Sequence, residues 1–215
     1  MLFDTGSGTG FMPSPGQIAT SLVAIGRAPG DITHVVFTHG HPDPLRGATD
    51  DFEEPFCVNA RHLMAEAEHD DWSDPATVDR SGAARQSFAA AASRRLDLLG
   101  GAVELFGAGD EPVPGITAVA TPGHTPGHMS SRLGGSGGSG GAFVIGDAIG
   151  NSHLALARPD RPSPADRDPA QGRDARAALL EELSASGETV AGFHMDAGGI
   201  GTLAGDGRAY RCAPA

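Results

Sequence analysis

The segment His34-Val35-Val36-Phe37-Thr38 is an unbroken β-branched and aromatic run, and it stops abruptly at His39-Gly40-His41-Pro42-Asp43-Pro44. Such a run reads as a strand, so the polar cluster falls on the loop at the strand's C-terminal end. The pattern recurs along the chain. Asp4 follows Met1-Leu2-Phe3, His124 follows the run over 116–121, Asp147 closes the run over 142–146, and His194 ends the run that starts at Thr189. Two imidazoles separated by one residue can aim at a single point if the loop turns, and Gly40 is expected to relax the backbone there. Taken singly, a His is more often a surface or core residue than a ligand. Five metal-type elements in order, each at the end of an apolar run, are rarely placed by chance, and imidazole with carboxylate suits Zn²⁺ or Fe²⁺.

The rest of the chain alternates strand and helix signals, as an α/β (α+β) chain does. Residues 15–27 read as an amphipathic helix, 55–60 as the strand after His34–Thr38, and 60–69 and 82–99 as helices rich in Ala, Arg, Glu and Leu. Strands are expected over 102–106, 116–121, 129–133 and 142–147, the last two forming a hairpin joined by the Gly/Ser stretch 134–141. A helix follows, capped by Asp168 and ended by Gly187, and 189–194 is the last clear strand. No internal repeat at a solenoid period is present. A chain of 215 residues suits one domain, so a single domain over 1–215 is expected.

Composition narrows the partners. The 27 acidic residues against 15 basic ones, all Arg, leave a net charge of -12, which disfavours nucleic acid because phosphate tracking needs clustered positive charge. No apolar run approaches the roughly 20 residues that span a bilayer, so no membrane is expected. The start MLFDTGSG lacks the charged and apolar parts of an export signal, so a cytoplasmic location is expected, unless a signal lies upstream. Cys57 and Cys212 lie in no metal or redox spacing and read as buried thiols.

With these motifs the chain resembles the metallo-β-lactamase-fold hydrolases, and its later half is similar to the branch with methyl parathion hydrolase and related lactonases and esterases. Besides the ligand motifs, the resemblance rests on LFDTG (2–6), VNARHLMAEAEHDDW (58–72), AGFHMDAGGIG (191–201) and DGRAYRCAPA (206–215). It implies an αββα sandwich of two mixed sheets flanked by helices. It also implies that His39, His41 and His124 hold one metal, that Asp147 bridges, and that Asp43 and His194 belong to a second metal. Zinc is the implied ion, one or two per chain, with Fe or Mn as alternatives. Asp4 is implied to support a ligating His, although capping the DTGSG turn is an equal reading. His128 is implied to be structural. A small-molecule ester, lactone or organophosphate-type substrate is implied, attacked by hydroxide made available when the metal lowers the pKa of water from about 15.7 toward about 7.

The chain departs from this pattern in three places. The family motif HxHxDH reads HGHPDP here, so Pro44 stands where an imidazole is expected for the second metal. Prolines on both sides of Asp43 are expected to hold that loop extended, and Asp43 is then open to a second role as general base. Asp196, close after His194, is a carboxylate with the potential to replace part of the lost ligand. Strands normally precede LFDTG in the family, so an exposed sheet edge is expected, which a homodimer would cover. Three functions stay open: a hydrolase with a weakened second metal position, a catalytically impaired family member, and a single-iron oxygenase on the same fold. Trp72 reads equally as pocket lining or core anchor.

Overall fold

The computed structural model describes residues 1–9, 16–134, 141–195 and 197–214. The chain clusters into two compact units, Met1–Phe106 and Gly107–Ala215.

In the first unit, β1 (Leu2–Phe3), β2 (His34–Phe37), β3 (Arg61–Ala65) and β4 (Val103–Phe106) form a parallel sheet in the order β1-β2-β3-β4. Parallel strands need helical crossovers. These are supplied by α1 (Ile18–Ala24), α2 (Pro42–Leu45), α3 (Glu66–Ser73), α4 (Ala76–Arg80) and α5 (Gln86–Leu99). Val35, Val36 and Phe37 are all buried, as expected of a strand covered on both faces. Helix α5 turns Ala89, Ala92, Leu96 and Leu99 inward at helical spacing, onto a core with Leu22, Phe37, Leu45, Met64 and Trp72. The edge strand β1 is only two residues long, and a short edge offers little template for pairing with another chain.

Two expectations fail in this unit. The strand expected over 55–60 and the helix expected from residue 60 give way to strand β3 at 61–65, with the helix starting only at Glu66. Leu63, Met64 and Ala65 favour helix intrinsically. They nevertheless pair on both sides, Leu63 with Val36 and Glu104, Met64 with Phe37 and Leu105, and tertiary pairing overrides so weak a preference. Residues 55–60 contribute one isolated bridge, Thr49 to Pro55. The other readings hold with shorter bounds, α1 and α5 lying inside 15–27 and 82–99, with residue 15 outside the described residues.

The second unit carries a mixed sheet in the order β10-β9-β8-β7-β6-β5. Its strands are β5 (Ile116–Ala120), β6 (Met129–Leu133), β7 (Ala142–Val144), β8 (Thr189–Ala191), β9 (Ile200–Gly205) and β10 (Tyr210–Pro214). Pairing is antiparallel except between β7 and β8, which are parallel because α6 (Ser152–Ala157) and α7 (Pro169–Ser186) lie between them in the chain. The β6–β7 hairpin forms as expected, and the Gly/Ser stretch joining it lies, over 135–140, outside the described residues. Helix α7 begins where the Asp168 carboxylate accepts the Ala170 and Gln171 N–H groups, with Pro169 in the first turn, and stops at Gly187 in the left-handed conformation. Such a cap stabilises by about 1 kcal/mol. Its Leu179, Leu180 and Leu183 pack with Phe143, Ile145, Val190 and Tyr210.

The strand read over 189–194 is too long, since β8 stops at Ala191, and it is not the last. Residues 189–191 are followed by the hairpin β9–β10, whose glycine-rich first strand lacks the alternation that marks a strand in sequence. The fold is thus mixed α/β with two helix-flanked sheets. Only the second sheet is mixed in direction, the first being parallel among the described residues. None of the described helices is long and apolar enough to cross a membrane.

His62 on β3 is 5% exposed and stacks on Phe37, and its Nε2 has no hydrogen-bond partner among the described residues. Burial pushes its pKa below the ordinary 6.5. The unfolded chain therefore takes up this proton at higher pH than the folded one. The contribution of neutral His62 to stability is full above about 6.5 and declines as pH falls below that toward the lowered folded value. Urea unfolding at about pH 7.5 and about pH 5.5 should show the loss, and His62→Phe should flatten it. An equal pH dependence in both proteins would refute this assignment.

Candidate metal centre

In the first unit the strand-end residues are fixed by hydrogen bonds with a definite direction. Asp4, at positive φ just past β1, accepts the Thr38 N–H at 2.8 Å on one oxygen and the Thr38 hydroxyl at 2.9 Å on the other. Having given its proton to Asp4, that hydroxyl accepts from His39 Nδ1 at 3.0 Å. His39 is thereby held as the tautomer whose buried Nε2 carries the lone pair. Asp4 supports His39 through the Thr38 hydroxyl, a residue the sequence gave no reason to single out.

Gly40 has a different reason from the one expected. It is not at positive φ. Its N–H donates to Glu68 Oε1 at 2.7 Å, the Trp72 indole N–H donates to the same oxygen at 2.5 Å, and a Cβ at Gly40 would lie 2.4 Å from the Trp72 ring. Close approach, not backbone freedom, requires glycine here. The His39 and His41 rings then meet edge to face with centroids 4.9 Å apart, and His41 rests against Trp72 at 5.6 Å. Trp72 is 2% exposed, a core anchor. Glu68, fully buried and likewise overlooked in the sequence, would emerge only from its i, i+4 spacing to Trp72.

The expectation of an extended segment around Asp43 is also corrected. His41 is the N-cap of α2, and Pro42 and Pro44 occupy its first turn. There the missing N–H groups have no helical acceptor to lose. Pro44 is buried, and its carbonyl accepts both the N–H and the hydroxyl of Thr5. Asp43 is half-buried in that turn. A solvent-open cavity of about 160 Å³ beside His41 is lined by Leu45, Phe88 and Ala92 and by the guanidinium-bearing Arg46 and Arg95. Burial, with Arg46 and Arg94 nearby, pushes Arg95 below the usual arginine range.

In the second unit, His124 Nε2 lies 3.5 Å and His194 Nε2 3.3 Å from the same oxygen, Asp147 Oδ2. On its other side His124 Nδ1 is 3.3 Å from Asp166 Oδ1. Asp166 Oδ2 in turn accepts from Arg176, whose Nε donates to the Ala148 carbonyl. Burial raises the pKa of Asp166, but hydrogen bonds from His124 and Arg176 outweigh it and hold the carboxyl below its usual range. With Nδ1 engaged by Asp166, His124 turns its Nε2 toward Asp147, so that two imidazole nitrogens and one carboxylate oxygen converge there. The donor set, imidazole nitrogen with carboxylate oxygen, therefore fits a borderline divalent ion such as Zn²⁺.

His128, on the same loop as His124, makes a separate set of bonds. Its Nε2 accepts the Asp147 main-chain N–H at 2.9 Å, and its Nδ1 meets the Thr121 hydroxyl at 2.8 Å. His153 is exposed on α6, and Asp196 lies outside the described residues. Asp166 and Arg176 escaped the sequence reading, since neither sits in a recognisable motif. Only the tertiary contact with His124 reveals them.

Residues 1–194 match the family model described as the metallo-beta-lactamase superfamily. The chain belongs to this superfamily. Among solved structures, it is similar to AidC, a dizinc quorum-quenching lactonase in complex with a product, with TM-score 0.90 and 21% identity over 100% of this chain and 74% of that one. It is also similar to the hydrolase AbOPH of the beta lactamase superfamily, with TM-score 0.89 and 25% identity over 99% and 74%. A probable metal-dependent hydrolase from Staphylococcus aureus follows, with TM-score 0.76 and 22% identity over 98% and 76%. No curated protein matches the chain.

Two substitutions test these contacts. Asp166→Ala leaves the 3% exposed Arg176 without its carboxylate, and unpairing a buried charge should lower unfolding stability by about 3–5 kcal/mol. Gly40→Ala forces a methyl into the Trp72 ring and should cost about 1–3 kcal/mol, as overpacking does. Denaturant melts that leave either variant as stable as the parent would contradict the contact in question.

Proposed function

We propose that this protein is a metal-dependent hydrolase acting on a small ester, lactone or organophosphate-type substrate. The observation that carries the reading is the approach of two imidazole Nε2 atoms to one carboxylate oxygen at Asp147. It is supported by superfamily membership across 1–194 and by structural neighbours that include lactonases. In this reading His39, His41 and His124 would hold one ion, and Asp147, Asp43 and His194 would supply the remaining ligands, including those of a second. A bound divalent metal would supply an activated water and Lewis-acid polarisation of the scissile group.

The protein's own groups set the conditions for that chemistry. Thr38 and Asp166 keep His39 and His124 in the tautomer that presents Nε2. Asp43, half-buried in the first turn of α2, is a candidate to accept the proton of the attacking water. Pro44 offers no side-chain ligand, so the second position is weaker than the first. A catalytically impaired protein is the second reading, and Pro44 is the observation that favours it.

Protein purified without chelator should contain between one and two zinc-like ions by elemental analysis and should open lactones or cleave p-nitrophenyl esters. A chelator should abolish this activity and added Zn²⁺ restore it. A folded protein with neither metal nor turnover would establish the impaired reading, and oxygen uptake with a thiol substrate would establish the oxygenase. Pro44→His should raise both the metal content and the hydrolytic rate. No change in either would remove Pro44 as the cause of a weak second position.

A further inference from the structure

The bonds around His128 run in one direction and leave no alternative arrangement of protons. The Asp147 main-chain N–H can only donate, so His128 Nε2, 2.9 Å away, must carry a lone pair. The proton of the neutral ring is then on Nδ1 and is donated to the Thr121 hydroxyl at 2.8 Å. Thr121 passes its own proton to Ser130 Oγ at 2.8 Å, and Ser130 donates to the Ile145 carbonyl at 3.2 Å. His128 and Ser130 are fully buried, and Thr121 is 4% exposed.

The chain of bonds begins and ends on the segment that carries Asp147. Ile145 supplies the last acceptor and Asp147 the first donor, and between them Gly146 sits at φ +52°. Asp147 itself has non-helical angles inside a 3₁₀ turn. Its N–H therefore needs a partner outside regular secondary structure, and leaving it buried without one costs about 1–3 kcal/mol. The backbone between these two anchors sets where the Asp147 carboxylate meets His124 and His194.

We propose that His128 is a positioning residue: a neutral Nδ1–H imidazole that clamps the Asp147 backbone and so orients the carboxylate for metal. The inference rests on Asp147 being a metal ligand. The clamp needs an acceptor at Nε2 and a donor at Nδ1 at once, which the neutral Nδ1–H imidazole provides. A Gln at 128 can replace the acceptor, whereas Leu fills the space and replaces neither.

The test compares His128→Gln, His128→Leu, Thr121→Val and Asp147→Asn in the full chain. Zinc affinity is measured by chelator competition, cobalt geometry by the visible absorption of the Co²⁺-loaded protein, and folding by circular dichroism. His128→Leu should weaken zinc binding about 10- to 100-fold, the range for loss of a residue that orients a ligand. It should also shift the cobalt spectrum, with His128→Gln restoring most of both. Thr121→Val keeps the ring but removes the acceptor of its Nδ1–H, and should weaken binding by a smaller factor. It decides the question if His128→Leu fails to fold.

In the metal-free parent, a scalar coupling between the Asp147 amide nitrogen and His128 Nε2 should be visible by nuclear magnetic resonance. Parent-like affinity in His128→Leu or, failing that, in Thr121→Val would overturn the proposal, as would a Gln variant no better than Leu. If Asp147→Asn itself binds zinc like the parent, the ligand assignment fails instead, which separates the two outcomes.

Discussion

His124 Nε2 and His194 Nε2 lie within 3.5 Å of one oxygen of the buried Asp147 carboxylate, and buried polar groups gathered in this way need compensating partners. In the second unit the compensation is visible. Asp166 fixes the tautomer of His124, Arg176 neutralises Asp166, and the Ala148 carbonyl holds Arg176 in place. Each of these groups is buried, so each needs its partner. Losing one would expose the next to an uncompensated charge or an unmet hydrogen bond.

The first unit solves its part of the problem differently. There the two ligand-type histidines flank a glycine whose peptide is pinned by Glu68 and pressed on Trp72. Strand β2, buried on both faces over Val35–Phe37, delivers them to the end of the sheet, where the backbone has little freedom to drift. The prolines of HGHPDP, which in sequence suggest an extended loop, fit instead into a first helical turn where the missing N–H groups cost nothing. Pro44 is thus accommodated by the local backbone without loss of a helical hydrogen bond.

Both supports use neutral or paired groups rather than net charge, although the chain as a whole carries -12. Hydrogen bonds at Nδ1 of His39 and His124 and at Nε2 of His128 orient these three rings. Such bonds fix the direction in which each ring points.

The amino-acid sequence by itself determined the strand-end placement of His39, His41, Asp43, His124, Asp147 and His194, because alternating apolar runs and turn residues are local signals. It determined the Asp168 and Gly187 limits of α7 for the same reason. It did not determine strand β3, where helix-favouring residues are drawn into the sheet by neighbours on both sides. Nor did it reveal Glu68, Asp166, Arg176 or the Thr38 hydroxyl, whose roles rest on partners up to 42 residues away. Those partners meet only after the chain has folded, since hydrogen bonds and buried charge act through distance in space and leave no period in the sequence.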